Sequence, residues 1–300
     1  MSNIFQRIAL IGLGEVGGIL AADLTHRGHP PAAAYDPRFT DPAAPPSLAA
    51  RRHQILAAAN PAEAVAAADL IISAVTAASA LAAAQSVAPH IAPGAFYLDL
   101  NSVSPATKQA AAAAIEAAGG RYVESSVMSS FPPNGIKTPM LLGGPHAAAF
   151  AALAAALDFD TTAFAPTIGG ASAVKMCRSV MVKGMEALFL ESLTAARFYG
   201  VTEVVLASLK DTLPGIDVPA LARYMISRAM LHGRRRAEEV REVAKTVAEA
   251  GTEPLMAIAI AQHQDWAADR STSMPRSTIV DASLETLLAA LQNKQESLLF

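Results

Sequence analysis

The 300-residue sequence holds one cysteine, Cys177, so no disulfide can close within the chain. That fits a reducing, cytoplasmic compartment. Charge is scarce as well: 16% of residues are Asp, Glu, Lys or Arg, against 52% hydrophobic. Such a balance excludes a disordered chain and predicts much buried helix surface, part of it at a subunit interface. There is no excess of positive charge. With a formal net charge of -3, neither nucleic acid nor an anionic membrane is expected as a partner. The opening MSNIFQRIALIGLG lacks a signal-peptide layout, because its short apolar run leads into glycines rather than a cleavage site. The longest apolar stretches are alanine-rich and broken by Pro, Gly or charge, so no transmembrane helix is expected. The seven histidines show no metal-ligand spacing, and no metal is expected. Cys177 reads as a small buried residue, and His232 as a helix-end residue.

The length makes two domains the default. The first half alternates short apolar runs with helical segments. RIALIG reads as a strand and Val16 to Arg27 as a helix. AAAY is a second strand ending at Asp36, and the Pro-rich stretch from Asp36 to Ser47 reads as a loop. HQIL is a weak third strand, followed by DLIISAV, FYLDL, RYVESSV, MLLGG and residues 161–164. Helices fall at about 61–68, 78–88, 105–118 and 146–157. Strands alternating with helices predict an α/β fold with a parallel, doubly wound sheet over residues 1–167. Gly169-Gly170 then opens a long interdomain helix to about Tyr199. The rest shows helical periodicity alone, with helix ends at Gly200, Gly215, Gly233 and Gly251. An all-α domain is therefore expected over 168–300.

GLGEVG places Gly12, Gly14 and Gly17 in the G-x-G-x-x-G positions, after a clean strand and at the start of a helix. Gly12 permits the tight turn, Gly14 lets a pyrophosphate reach the backbone, and Gly17 lets the helix pack on the sheet. With Leu13, Glu15 and Val16, the turn presents helix N-terminal N–H groups to phosphates. Asp36, 19 positions after Gly17, sits where a carboxylate would accept hydrogen bonds from an adenosine ribose and favour NAD. Its other reading is a turn-forming Asp-Pro pair. Arg38 leaves NADP open, since it could meet a 2′-phosphate. Val75 and Thr76 follow one strand end and Asn101 and Ser102 another, where a dinucleotide crosses such sheets.

The order GLGEVG, LDLNSVSP, ESSVMSSFPPNGIKTPMLLGG, GGASAVKMCRS resembles the β-hydroxyacid dehydrogenases, the group that includes 6-phosphogluconate and 3-hydroxyisobutyrate dehydrogenases. The resemblance implies a catalytic lysine on the interdomain helix, matched by Lys175, and a homodimer built through the helical domain. The residues agree with such a lysine. Lys175, Ser179 and Lys183 lie at i, i+4 and i+8 on one face of an otherwise apolar helix. A partly desolvated lysine there loses basicity and can exchange a hydroxyl proton as hydride moves. The competing picture is lysines snorkelling from a solvated face. The sequence departs from the family at three places. Ser179 stands where the family has Asn, and Met128-Ser129-Ser130 where it has Ser-Gly-Gly. Glu238-Glu239-Val240 stands for a Lys-Asp-Leu whose lysine holds the substrate carboxylate. Arg234 and Arg235, one turn earlier, are either substitutes for that lysine or part of a salt-bridged helix face.

The expectation is an NAD(P)-dependent oxidoreductase acting on a small hydroxy acid or related alcohol. Lys175 would be the acid/base, and Ser102, Ser129, Ser130, Ser179 and Arg235 would place the substrate. Imine reduction on the same scaffold, or dinucleotide binding without turnover, are the alternatives.

Overall fold

The computed structural model describes residues 4–272 and 274–292. The chain divides into two compact units between Met176 and Cys177.

The first unit is built on eight strands: β1 (Ile8–Ile11), β2 (Ala33–Tyr35), β3 (Leu56–Ala57), β4 (Leu70–Ser73), β5 (Phe96–Asp99), β6 (Arg121–Val127), β7 (Met140–Gly143) and β8 (Thr161–Ala165). They lie in the order β3-β2-β1-β4-β5-β6-β7-β8. The central strands are apolar runs because both faces are covered. Successive residues go to opposite cores: Leu10, Ile72, Phe96 and Leu98 face one cluster, while Ile11, Ile71 and Tyr97 face the other. Each such side chain, fully buried, contributes about 1.5–3 kcal/mol.

The sheet is parallel from β3 through β6, but β7 runs antiparallel to β6 and β8 follows β7 in parallel. A parallel return needs a crossover, usually a full helix. The link from Val127 to Met140 carries only two short helical turns, Phe131–Asn134 and Gly135–Lys137, so the chain doubles back. Two other expectations are corrected. The third strand is Leu56–Ala57 rather than HQIL. The stretch after Asp36 is not all loop: it holds a 3₁₀ turn, Pro37–Thr40, and a helix, Pro45–Arg52. Both begin on proline, whose fixed φ suits a first helical position.

The second unit takes up the long helix Gly170–Phe198 from Cys177 onward. It continues with helices Thr202–Thr212, Val218–Glu249, Leu255–Ser271, Arg276–Asp281 and Leu284–Gln292. Asp217 caps the Val218–Glu249 helix by accepting from the Ala220 N–H at 3.0 Å. Gly233 does not end a helix; it lies inside this one, and His232 beside it is mid-helix. A Cβ on Gly233 would sit 2.4 Å from the Gln264 carbonyl oxygen and 2.9 Å from the Ala268 Cβ, so glycine permits the close crossing of Leu255–Ser271. Cys177 is exposed, not buried. No helix of the described residues is long and apolar enough to cross a membrane.

Candidate dinucleotide and catalytic site

The turn after β1 is shaped by contacts that only glycine allows. Gly12 has φ +89°, and a Cβ there would lie 2.4 Å from the Ala74 carbonyl oxygen. A Cβ on Gly17 would lie 2.2 Å from the Gly12 carbonyl oxygen, so the Glu15–His26 helix rests directly on the turn. Gly14 differs: among the described residues, a Cβ on Gly14 would meet, beyond its chain neighbours and the helix's own backbone, the Arg38 Nη2 alone within 4 Å, at 3.5 Å. Gly14 is also the helix cap and has no side chain to satisfy the first N–H groups. An open space over uncapped helix N–H groups suits a phosphate. Leu13 is buried and Glu15 exposed, with Val16 between these extremes.

Asp36, buried at the end of β2, ties this turn to its neighbours. Its Oδ2 accepts from the Leu13 N–H at 3.1 Å, and its Oδ1 from the Arg38 N–H at 3.0 Å. The Arg38 side chain closes on the same carboxylate, Nε to Oδ1 at 3.0 Å and Nη2 to Oδ2 at 3.1 Å. Burial pushes the Asp36 carboxyl up, but the bonds from Arg38 and Leu13 outweigh it and hold the group below its ordinary value. Arg38 is raised in turn by Asp36. The sequence presents Asp36 and Arg38 as rival readings; the structure joins them, with the Asp36 carboxylate capping the turn after β2 and held by the Arg38 side chain. With four N–H groups on two oxygens, the carboxylate reaches a ribose hydroxyl only when Arg38, 55% exposed, swings away.

Asn101 braces the next two strand ends. Its Oδ1 accepts from the Val75 N–H at 2.7 Å, and its Nδ2 donates to the Ser73 hydroxyl at 3.0 Å. Its side chain is thus engaged within the protein, while Thr76 is exposed and Ser102 half-buried nearby in sequence. Ser129 and Ser130 follow β6 and are exposed.

Two buried acids escape sequence reasoning. Asp99 pairs with the fully buried Lys108 at 3.0 Å and accepts from the Tyr122 hydroxyl at 2.6 Å. Glu124, on β6, accepts from the Gly169 N–H at 2.7 Å and the Ser172 N–H at 2.5 Å. It therefore anchors the first turn of the Gly170–Phe198 helix, one turn before Lys175. The one signal for either is an acid inside an apolar strand, LDL or YVES.

In the second unit Ser179 is buried, and Lys183 is no snorkelling surface lysine. It is 5% exposed and pairs with Glu239 at 2.8 Å. Burial pulls its pKa down, against the pull of Glu239. Arg235 pairs with the same Glu239, and Arg234 with Asp265 and Asp269. The Arg235 guanidinium is thus held in a salt-bridged helix face.

Residues 7–169 match the model of the NAD binding domain of 6-phosphogluconate dehydrogenase, and residues 196–267 match a domain of unknown function, DUF1932. Among solved structures, a conserved hypothetical protein from Sinorhizobium meliloti 1021 is 38% identical, with 95% of each chain covered and a TM-score of 0.73. The conserved protein MTH1747, of unknown function and structurally similar to 3-hydroxyacid dehydrogenases, is 31% identical over 88% of this chain and 97% of its own, with a TM-score of 0.66. The Mycobacterium tuberculosis 3-hydroxyisobutyrate dehydrogenase, solved with L-serine, shares the fold at 17% identity, with 95% of this chain and 99% of that one covered and a TM-score of 0.66. A curated relative, an uncharacterized 28.5 kDa protein in the 7S RNA 5′ region of Methanothermus fervidus, is 28% identical over 160 residues. That match takes in 53% of this chain and spans 61% of the relative's length. The first domain is thus a nicotinamide-dinucleotide-binding domain, and the chain belongs to the β-hydroxyacid dehydrogenase-like family.

Proposed function

We propose that the chain is an NAD(P)-dependent oxidoreductase of the CH–OH group, with Lys175 as its general acid/base and a small hydroxy acid or related alcohol as substrate. The observation that carries this reading is the anchoring of the Lys175 helix by Glu124, a fully buried carboxylate on the dinucleotide-binding sheet. A residue meant to exchange a proton must be held within hydrogen-bond reach of the reacting oxygen. A helix fixed at its first turn gives such a hold, and an uncharged partner could not offer Glu124's two acceptor oxygens to two N–H groups.

The residues fit a dinucleotide. Gly12, Leu13, Gly14, Glu15, Val16 and Gly17 would hold its pyrophosphate, Asp36 its adenosine ribose, and Val75, Thr76 and Asn101 the loops it crosses. When bound, its nicotinamide supplies or accepts the hydride. Lys175 takes the hydroxyl proton on oxidation and returns it to the forming alkoxide on reduction. Ser102, Ser129, Ser130 and Ser179 would orient the substrate by hydrogen bonds. Arg235 would meet its carboxylate by exchanging Glu239 for it. NAD is the preferred form, because the Asp36 charge opposes a 2′-phosphate, while Arg38 gives NADP some hold. The working assembly is a homodimer, in the cytoplasm.

The replaced Asn and Gly-Gly positions, Ser179 and Ser129-Ser130, favour a substrate unlike the usual family acids, so imines belong in the test. NADH and NADPH fluorescence titrations, followed by decay of the signal with a panel of carbonyls and imines, check the reading. Turnover of carbonyls supports it. Turnover of imines alone moves the activity to C=N reduction, and binding without turnover leaves a dinucleotide-binding protein.

A further inference from the structure

The second unit contains a cavity of about 480 Å³ between the Val218–Glu249 helix and the short Arg276–Asp281 helix. Four basic side chains line it: Arg223, Arg228 and His232 from the long helix, and Arg276 from the short one. Ser227 and Ser277 add hydroxyls, and none of the lining residues is acidic. On the long helix Arg223, Arg228 and His232 lie at i, i+5 and i+9, spread around about half of its circumference, with Tyr224, Ser227 and Leu231 between them on the cavity wall.

Five other arginines of this unit are held by ion pairs. Arg197 pairs with Glu285, Arg234 and Arg241 with Asp265, Arg235 with Glu239, and Arg236 with Glu186. Among the described residues, Arg223 and Arg276 make no ion pair. They are instead pinned by main-chain carbonyls. Arg223 Nη1 donates to Val280 O at 3.1 Å and Ala282 O at 3.2 Å, and Arg276 Nη1 donates to Leu231 O at 3.2 Å. Each guanidinium is thus held in place by one nitrogen while its planar fork keeps further donors. Fixed guanidinium donors around a small cavity are the arrangement that recognises carboxylate and phosphate, often through two parallel hydrogen bonds.

His232 registers the same charge. Its Nε2 lies 3.3 Å from Arg228 Nη1. Burial first, then the charges of Arg228, Arg235, Arg236 and Arg276, push its pKa down to about 4. At neutral pH its ring is uncharged and accepts from Arg228. The cavity therefore gathers positive charge, and none of its lining residues is acidic.

We propose that this cavity is a binding site for a small oxyanion, the phosphate or carboxylate group of a metabolite, held by Arg223, Arg228 and Arg276. The proposal does not rest on the assignment of Lys175, and its test needs no turnover.

Inorganic phosphate and malonate are the two probes, titrated separately into the full chain at constant ionic strength. The C2–H resonance of His232, assigned with a His232→Gln variant, is followed against pH. An oxyanion in the cavity should raise the His232 midpoint by about one unit or more, the usual effect of an opposite charge a few ångströms away. Calorimetry should show saturable binding that Arg223→Gln and Arg276→Gln each weaken about tenfold, the worth of one charge-assisted hydrogen bond. The probe that saturates identifies the group recognised. A shift equally produced by chloride would be screening and would overturn the proposal. So would an unmoved His232 with both probes, or phosphate binding undiminished in the two variants. The wild-type titration stands even if a variant fails to fold.

Discussion

Asp36 and Arg38 form an ion pair whose opening, in the proposed reading, would decide which cofactor is held. Arg38→Ala removes the guanidinium that occupies the carboxylate and that would receive a 2′-phosphate. NADPH affinity should fall about tenfold or more, while NADH affinity holds or rises, read by fluorescence titration. Asp36→Ala should shrink the preference for NADH. The folded-state pKa of Asp36 lies below its ordinary 3.8. Its contribution to stability is therefore fully present above that value and is lost as the pH falls through the lower folded value. Asp36→Asn should abolish this acid-limb dependence in a denaturation series. Glu124 carries a second prediction. Glu124→Gln turns a donor toward one of the Gly169 and Ser172 N–H groups, leaving it buried and unpaired, at a cost of about 1–3 kcal/mol in chemical denaturation. Neither bond was legible beforehand. The glycine turn is written in adjacent residues, whereas Glu124 meets its partners 45 and 48 positions away.

Elements were legible where their signal is local. The buried parallel strands appear as apolar runs, and the long helices as apolar periodicity. Strand direction has no such mark, so the reversal at β7 is not written in the sequence: a run such as MLLG reads the same either way. Prolines misled for the opposite reason. Pro45 and Pro46 suggest a loop, yet open a helix whose first turn requires no donor from them. Gly233 has the sequence signature of a helix stop, but its meaning is steric. Gly233→Ala should gain helix propensity and still lose about 1–3 kcal/mol net, because the new Cβ meets a backbone oxygen that cannot move without shifting the Leu255–Ser271 helix. Equilibrium unfolding in urea checks the sign; a more stable variant would mean that the two helices separate easily.

For the whole molecule, the helical unit carries more apolar surface than it covers. Met181 and Leu188 are 67% and 62% exposed, and Phe198 and Tyr199 are both 75% exposed. Exposed large apolar groups in such number suit the proposed subunit interface, and sedimentation at micromolar concentration should find a homodimer; a monomer would contradict that assembly. The family was legible from four motifs spread over half the chain, but the substrate was not. Of the positions that would select it, Ser129, Ser130 and Ser179 depart from the family pattern, and Arg235, offered in place of the family's lysine, is engaged by Glu239. The central claim, that Lys175 moves the proton in a hydride-transfer reaction, is tested most directly by comparing Lys175→Ala and Lys183→Met with the wild type. The substrate is whichever the carbonyl panel identifies, and cofactor affinity and turnover are read in the same samples. The account predicts that both variants bind cofactor like the wild type, that Lys175→Ala loses roughly two to four orders of magnitude in turnover, and that Lys183→Met loses far less. Equal activity in the two variants would contradict it.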